Sequence, residues 1–223
     1  MNVPYGLLPD TWHWLAALVY VAVLAPVVLR LPWKQLSNPN SEKLHVYLGT
    51  CVALMVFWTM KTTVVPGLDY HYLGATLLTL MFGWRLAIAG ISIVLAATIL
   101  SGSSDWQTFP TNVLLMGVLP VTTSYVIYRI VDRNLPNNFF IYVFLCAFFG
   151  AGAALLSVIA CAMVLLIMTD SYGFAQIAHE YLPFAPLMLF PESFVTGMLI
   201  TVIVALRPKW VSTFDDERYI RGR

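Results

Sequence analysis

The sequence predicts an all-α polytopic membrane protein with about seven transmembrane helices. Of its 223 residues, 60% are hydrophobic and only 10% are charged, whereas a soluble domain usually carries about 25% charged residues. Uncharged apolar runs recur along the whole chain, and such runs are typical of membrane-spanning helices. We therefore expect a multi-pass protein of the cell (inner) membrane, in contact with lipid. Residues 1–223 should form a single integral-membrane permease domain with a polar cytoplasmic tail over 207–223.

Short polar connections separate the predicted segments. The segments cover about residues 11–29, 45–60, 72–82, 86–100, 109–130, 139–168 and 183–206. The third segment has only about eleven residues, which is too few to cross a hydrocarbon core of about 30 Å alone. It is therefore predicted to be a short helix at residues 72–82, a half-span or an inclined helix shielded by its neighbours.

The placement of lysine and arginine predicts the orientation. These residues stay on the cytoplasmic side in short loops. If the N-terminus is outside and the chain turns at Gly83-Trp84-Arg85, eleven of the twelve basic residues fall inside and only Lys61 falls outside. With a single crossing over 72–100, the later basic clusters would lie on the wrong side. The sequence therefore favours an external N-terminus and a cytoplasmic C-terminus.

The sequence argues against several classes of function. The chain has no Gly-x-x-x-x-Gly-Lys-Ser/Thr loop for a nucleotide and no hydrolase spacing, so we expect a non-enzyme without ATPase activity and without a catalytic cofactor. It has no basic patch for nucleic acid. Cys51, Cys146 and Cys161 lie in apolar runs and are read as packing residues. The first residues lack the basic region of a signal peptide, so the mature protein is expected to begin at Met1.

A polar stretch at residues 66–71 precedes the third segment, with Asp69 and His71 at the edge of the apolar run. Ionisable groups are costly inside a membrane, so such residues often mark a ligand site. Two interpretations stay open. Asp69 and His71 bind a substrate at the entrance of a membrane site, or they are solvated residues of an interfacial loop.

Other polar residues allow the same two kinds of interpretation. Glu192 follows Pro191 inside the last segment, and it is either a functional carboxylate or a hydrogen-bonding partner between helices. His13 lies between Trp12 and Trp14, where it is either a metal ligand or part of an interfacial aromatic belt. Asn112 and Met116 are one helical turn apart and, on the residues alone, are packing positions.

Four stretches together resemble one family. Residues 1–8, Met-Asn-Val-Pro-Tyr-Gly-Leu-Leu, are similar to Met-His-Ile-Pro-x-Gly-Phe-Leu, and residues 71–77 to His-Leu-x-Gly-Ala-x-Leu. Residues 111–118 are similar to Ala-Asn-x-x-x-Met-Gly-Val, and residues 191–197 to a late Glu-Ala-x-x-Thr. These are motifs of the CbiM-type substrate-binding permease subunit of cobalt/nickel energy-coupling-factor (ECF) ABC transporters, and in order they span almost the whole chain.

The resemblance implies capture of Co²⁺ or Ni²⁺ near the outer face by nitrogen ligands. Carried over, it assigns the free amine of Met1 and the imidazole of His71 to the ion. At position 2, where the family has a histidine, this chain has Asn2. Asn2, His13 and Asp69 are therefore further possible ligands. The resemblance also implies a supporting core beneath the ion, at Asn112, Met116 and Glu192.

The family resemblance also implies partners, namely a transmembrane coupling subunit and separate ATPase subunits. The first functional hypothesis is therefore a permease that captures a divalent transition metal for ATP-driven uptake. The alternative is a divergent member that has lost metal capture and acts as an accessory or scaffold subunit of another membrane complex. Asn2 and Lys61 favour the alternative, whereas the Met1 amine, His71 and the acidic outer residues favour metal capture.

Overall fold

The computed structural model describes residues 3–33, 38, 40–60, 62–65, 68–102 and 105–221, with the backbone alone at 62–65, 68–70 and 220–221. This part of the chain forms long helices and one short antiparallel hairpin. In chain order they are α1 (Asp10–Leu29), α2 (Glu42–Thr59), β1 (Thr62–Val65), β2 (Leu68–Tyr70), α3 (Ala75–Leu100), α4 (Trp106–Asn134), α5 (Phe139–Met168) and α6 (Phe174–Leu206).

The prediction of a helical, multi-pass membrane protein is confirmed. Among the described residues, five helices are long and apolar enough to span a membrane, namely α1, α3, α4, α5 and α6. The first turn of α2 carries Glu42, Lys43 and His45, and α2 is not among these five helices. The hairpin β1–β2 was not predicted. The count of seven crossings and the orientation stay predictions.

Helix α3 differs from the predicted short helix at 72–82 and is broken by a glycine. It begins at Ala75 because Gly74 adopts a left-handed conformation (φ 64°, ψ 8°) that ends the preceding coil. At Gly83 the backbone leaves helical geometry (φ 81°, ψ 170°), which only glycine adopts readily. The part before the break, residues 75–82, rises about 12 Å at 1.5 Å per residue. It therefore cannot cross a membrane alone.

Three arginines, one directly after α1 and one each in α3 and α4, line a cleft beside the break in α3. Arg30, Arg85 and Arg129 contribute to this cleft of about 800 Å³, and an Nη1 of Arg85 donates to the carbonyl of Arg30 over 3.2 Å. Their shared location agrees with the predicted turn of the chain at Gly83. Which side of the membrane this end faces remains a prediction.

The C-terminal tail packs against the helices instead of extending from them. Phe214 and Tyr219 are buried, and their rings lie 5.1 and 5.3 Å from the ring of Tyr142 in α5. The tail also supplies hydrogen bonds to the broken helix. Ser212 N donates to Met81 O over 2.9 Å and Thr213 N donates to Leu80 O over 3.3 Å. The tail thereby pairs carbonyls that the break at Gly83 leaves without helical donors.

Replacing Thr213 with valine tests this capping. The Thr213 hydroxyl donates to Leu80 O over 2.8 Å and lies 2.7 Å from the Tyr142 hydroxyl. Its loss should lower the free energy of unfolding by about 1–3 kcal/mol, since buried polar partners are left unpaired. Thr201→Val is the matched control, because the Thr201 hydroxyl bonds the Gly197 carbonyl of its own helix. Equal thermal unfolding midpoints for both variants in detergent would contradict the capping role.

Candidate functional site

His71 lies in a short buried coil between β2 and α3. Its side chain is 8% exposed, and its ring centroid is 4.9 Å from that of Trp58 in α2. Its Nδ1 is 3.3 Å from the carbonyl oxygen of Tyr72. Burial of this imidazole does not fit the alternative of a solvated residue in an interfacial loop.

Helix α6 fixes the coil that carries His71. The carboxylate of Glu192, only 3% exposed, accepts hydrogen bonds from Leu73 N over 2.7 Å and from Gly74 N over 3.0 Å. One turn later, the hydroxyls of Thr196 and Tyr72 are 2.9 Å apart. The two oxygens of one carboxyl group each accept a backbone N–H, which attaches the coil to α6 at two points. Glu192 therefore determines the path of the backbone next to His71.

The structure explains why residues 71–74, His-Tyr-Leu-Gly, end in a glycine at position 74. Its φ of +64° favours glycine, and a Cβ at this position would lie 2.6 Å from Leu54 Cδ1 and 3.1 Å from the Tyr72 ring. A larger residue would strain the backbone at this positive φ and would force the end of the Leu54 side chain to shift. The pattern thus combines an imidazole with the backbone turn that lets α3 start directly behind it.

Asn112 holds the N-terminal segment against α4. Its Oδ1 accepts from Val3 N over 2.8 Å, and its Nδ2 donates to Val3 O over 3.1 Å and to Thr108 Oγ1 over 3.1 Å. Asn112 and Val3 are 0% and 1% exposed. An amide is the one neutral side-chain group that can both accept and donate in this way. Val3 is therefore fixed in the interior of the helical bundle.

Replacing Asn112 with alanine should release this tether. The Val3 N–H and C=O lose their partners, and each buried polar group left unpaired costs about 1–3 kcal/mol. We expect a lower thermal unfolding midpoint and faster amide hydrogen exchange at residues 3–8. Asn134→Ala is the control, since Asn134 is exposed and bonds the Ile130 carbonyl of its own helix. Unchanged exchange in Asn112→Ala would show that the tether is not needed.

His13 is also buried, at 7% exposed. It lies in the first turn of α1, and its Nδ1 is 3.0 Å from Thr111 Oγ1. Its ring centroid is 6.2 Å from that of Tyr5. Within the described residues, its Nε2 is buried without a hydrogen-bond partner. The ring of His13 therefore faces the interior of the bundle, whereas the adjacent Trp14 is exposed.

The other predicted site residues are only partly covered by the described structure. Met1, Asn2 and Lys61 lie outside the described residues, and Asp69 lies in β2 without a described side chain. Met116 is 1% exposed and packs in the same hydrophobic core as Val3 and Leu73. Among the described residues, no group of three or more His, Cys, Asp or Glu side chains is close enough to hold a metal ion.

Comparisons with known proteins show which family the chain belongs to. A family model described as CbiM, cobalt uptake substrate-specific transmembrane region, matches residues 2–210. The chain belongs to the CbiM family. The cobalt transport protein CbiM of Clostridium tetani (strain Massachusetts / E88) is 24% identical over 216 residues, which cover 95% of this chain and 86% of that protein.

Solved structures share the fold of this chain. One structure described as a transition metal transporter matches with a TM-score of 0.70 and 18% identity, covering 92% of this chain and 93% of the other. A truncated transition metal transporter matches with a TM-score of 0.69 and 17% identity, covering 92% and 99%. The sequence resemblance to the CbiM family is thereby confirmed, together with the multi-pass membrane character.

Some features of the site were not found from the sequence. The sequence indicated Thr111 only as part of the motif at residues 111–118, although its hydroxyl contacts His13. Trp58 was not singled out, although its ring lies against His71 and its Nε1 donates to Leu73 O over 3.4 Å. Thr111 directly precedes Asn112 in the sequence, and its hydroxyl could have indicated a polar contact. For Trp58 the sequence offered none, because the contact depends on how α2 packs against α3.

Proposed function

We propose that this chain is the substrate-binding permease subunit of an uptake system and that it captures Co²⁺ or Ni²⁺ at its outer face. The observation that carries the proposal is the double hydrogen bond between Asn112 and the backbone of Val3. It fastens the start of the chain into the bundle, where the Met1 amine and His71 would act as ligands. Family membership and the named cobalt transport of a relative support it.

The chemistry of these groups suits a late transition metal. Amine and imidazole nitrogens are ligands that favour Ni²⁺, Co²⁺ and Cu²⁺ over Mg²⁺ or Ca²⁺. A buried and fixed imidazole such as His71 loses little entropy when it binds an ion, because its coil is already held by Glu192. Release towards the cell interior then needs a conformational change. We propose that a coupling subunit and ATPase subunits from other chains drive it, and that residues 1–223 act as one domain.

A direct titration tests the proposal. The purified full chain, stripped with a chelator, is titrated with Co²⁺, Ni²⁺ and Zn²⁺ in detergent, and binding is followed calorimetrically. Saturable binding of about one Co²⁺ or Ni²⁺ per chain is expected from a single capture site. Inserting one alanine between Met1 and Asn2 should abolish this binding, because it moves the amine away from the tether at Val3. No heat above the detergent background would overturn the proposal.

An accessory or scaffold subunit is the second candidate. The observation that favours it is Asn2, which places an amide where the family resemblance implies an imidazole. An amide is a far weaker ligand for Co²⁺ and Ni²⁺ than an imidazole. The same titration separates the two candidates, since a scaffold subunit would bind none of the three ions while remaining folded.

A further inference from the structure

The buried ring of His13 has one nitrogen fixed and the other unpaired. Nδ1 is 3.0 Å from the Thr111 hydroxyl, whereas the buried Nε2 has no hydrogen-bond partner among the described residues. Leaving a buried polar atom unpaired costs about 1–3 kcal/mol. Native structures contain few such atoms, and each requires an explanation, such as a role in binding an ion.

The hydrogen bond at Nδ1 leaves the ring ready to bind an ion. A threonine hydroxyl can accept as well as donate, so it can accept from Nδ1–H and leave the lone pair of Nε2 exposed. Metal-binding histidines show this arrangement, because the hydrogen bond at the second nitrogen fixes the tautomer and the ring orientation. His13 therefore has the second contact that a metal ligand requires.

His13 and Val3 contact neighbouring residues of α4, which connects His13 with the start of the chain. The Thr111 hydroxyl contacts His13, and the adjacent Asn112 forms hydrogen bonds with Val3. Residues 3–13 are therefore attached to α4 at both ends. The rings of Tyr5 and His13 are 6.2 Å apart within this segment. Two residues span at most about 7 Å, so a group two residues before Val3 in the sequence has a covalent reach of about that distance from Val3 N.

We propose that His13 Nε2 is a ligand of the captured Co²⁺ or Ni²⁺ and supplies the imidazole nitrogen that Asn2 lacks. This inference rests on the proposed function and adds a ligand from α1 to the Met1 amine and His71. It also explains how a chain with Asn2 keeps a nitrogen-rich site. A bound ion would supply the partner that Nε2 lacks among the described residues.

Substitution at His13 tests the inference with two readouts. His13→Phe keeps an aromatic ring but removes both nitrogens, so the ion-free protein should unfold at the same temperature as the wild type or higher. Its affinity for Ni²⁺ should fall at least about tenfold, since even the loss of an outer-shell partner of a ligand costs about 10–100-fold. His13→Ala provides a second variant with a smaller side chain. His45→Ala, at the exposed start of α2, is the control.

A rescue experiment separates a ligand from a packing residue. Adding Asn2→His to His13→Phe should restore Ni²⁺ binding, because the lost imidazole returns on the neighbouring tethered segment. A packing role predicts no rescue. If the wild type binds Ni²⁺, His71→Ala does not, and His13→Phe binds like the wild type, His13 is not a ligand although metal capture stands. If the wild type binds neither Ni²⁺ nor Co²⁺, the proposed function itself fails.

Discussion

Replacing His71 with alanine is expected to lower the affinity for Co²⁺ and Ni²⁺ by about 100-fold or more, since a ligand contributes at least as much as its outer-shell partners. The fold should survive, because Glu192 holds the coil through the backbone of Leu73 and Gly74 and does not depend on the imidazole. The measurement is calorimetric titration of chelator-stripped protein, with circular dichroism and gel filtration to confirm folding.

The fluorescence of Trp58 gives a second way to measure metal binding in the His71→Ala variant. Its ring centroid is 4.9 Å from that of His71, so a paramagnetic ion bound at His71 should quench part of the tryptophan fluorescence. The quenching should disappear in His71→Ala and in Trp58→Phe, and it should persist in His45→Ala. Wild-type affinity in folded His71→Ala protein would show that His71 is not a ligand.

Replacing Glu192 with alanine should have the largest effect on stability. It leaves the backbone N–H groups of Leu73 and Gly74 unpaired in the interior, at a cost of about 1–3 kcal/mol each. It also frees the coil that carries His71, so metal affinity should fall together with stability. Glu192→Gln keeps one acceptor oxygen of suitable geometry and should lie between the wild type and Glu192→Ala in both measurements.

The control for Glu192 is Glu180→Ala. Glu180 is exposed and accepts from Gln176 of its own helix over 3.2 Å, so its loss should leave the thermal unfolding midpoint and the metal affinity unchanged. If Glu192→Ala loses stability but keeps full affinity, the carboxylate packs α6 without positioning His71. If neither quantity changes, the assignment of Glu192 to the site is wrong.

The helices were predictable from the sequence because hydrophobicity alone selects them. The apolar runs at 11–29 and 139–168 coincide closely with α1 and α5. The break in α3 was signalled by Gly83, whereas the start at Ala75 depends on the left-handed conformation of Gly74. The folded tail was missed, because its mixed charges concealed Val211, Phe214 and Tyr219, which are buried in the core.

The sequence named candidate residues for the site, which stay predictions, but it did not indicate their contacts. His71, His13 and Glu192 stood out as polar groups in or beside apolar segments, and Asn112 stood out through the family resemblance. Their partners lie far along the chain or on the backbone: Glu192 bonds Leu73 and Gly74, and Asn112 bonds Val3. Backbone groups carry no sequence signature, so the role of Glu192 could not be separated from helix packing before the fold was known.

X-ray absorption at the nickel K-edge tests the central claim most directly. The sample is full-length wild-type protein loaded with one equivalent of Ni²⁺ after removal of free ion. We expect a first shell of nitrogen donors with imidazole scattering from His71 and His13. The imidazole scattering should be weaker in His71→Ala and in His13→Phe. A shell of oxygen donors that neither substitution alters would contradict it, because the ion would then be held by groups other than the N-terminal segment and these two histidines.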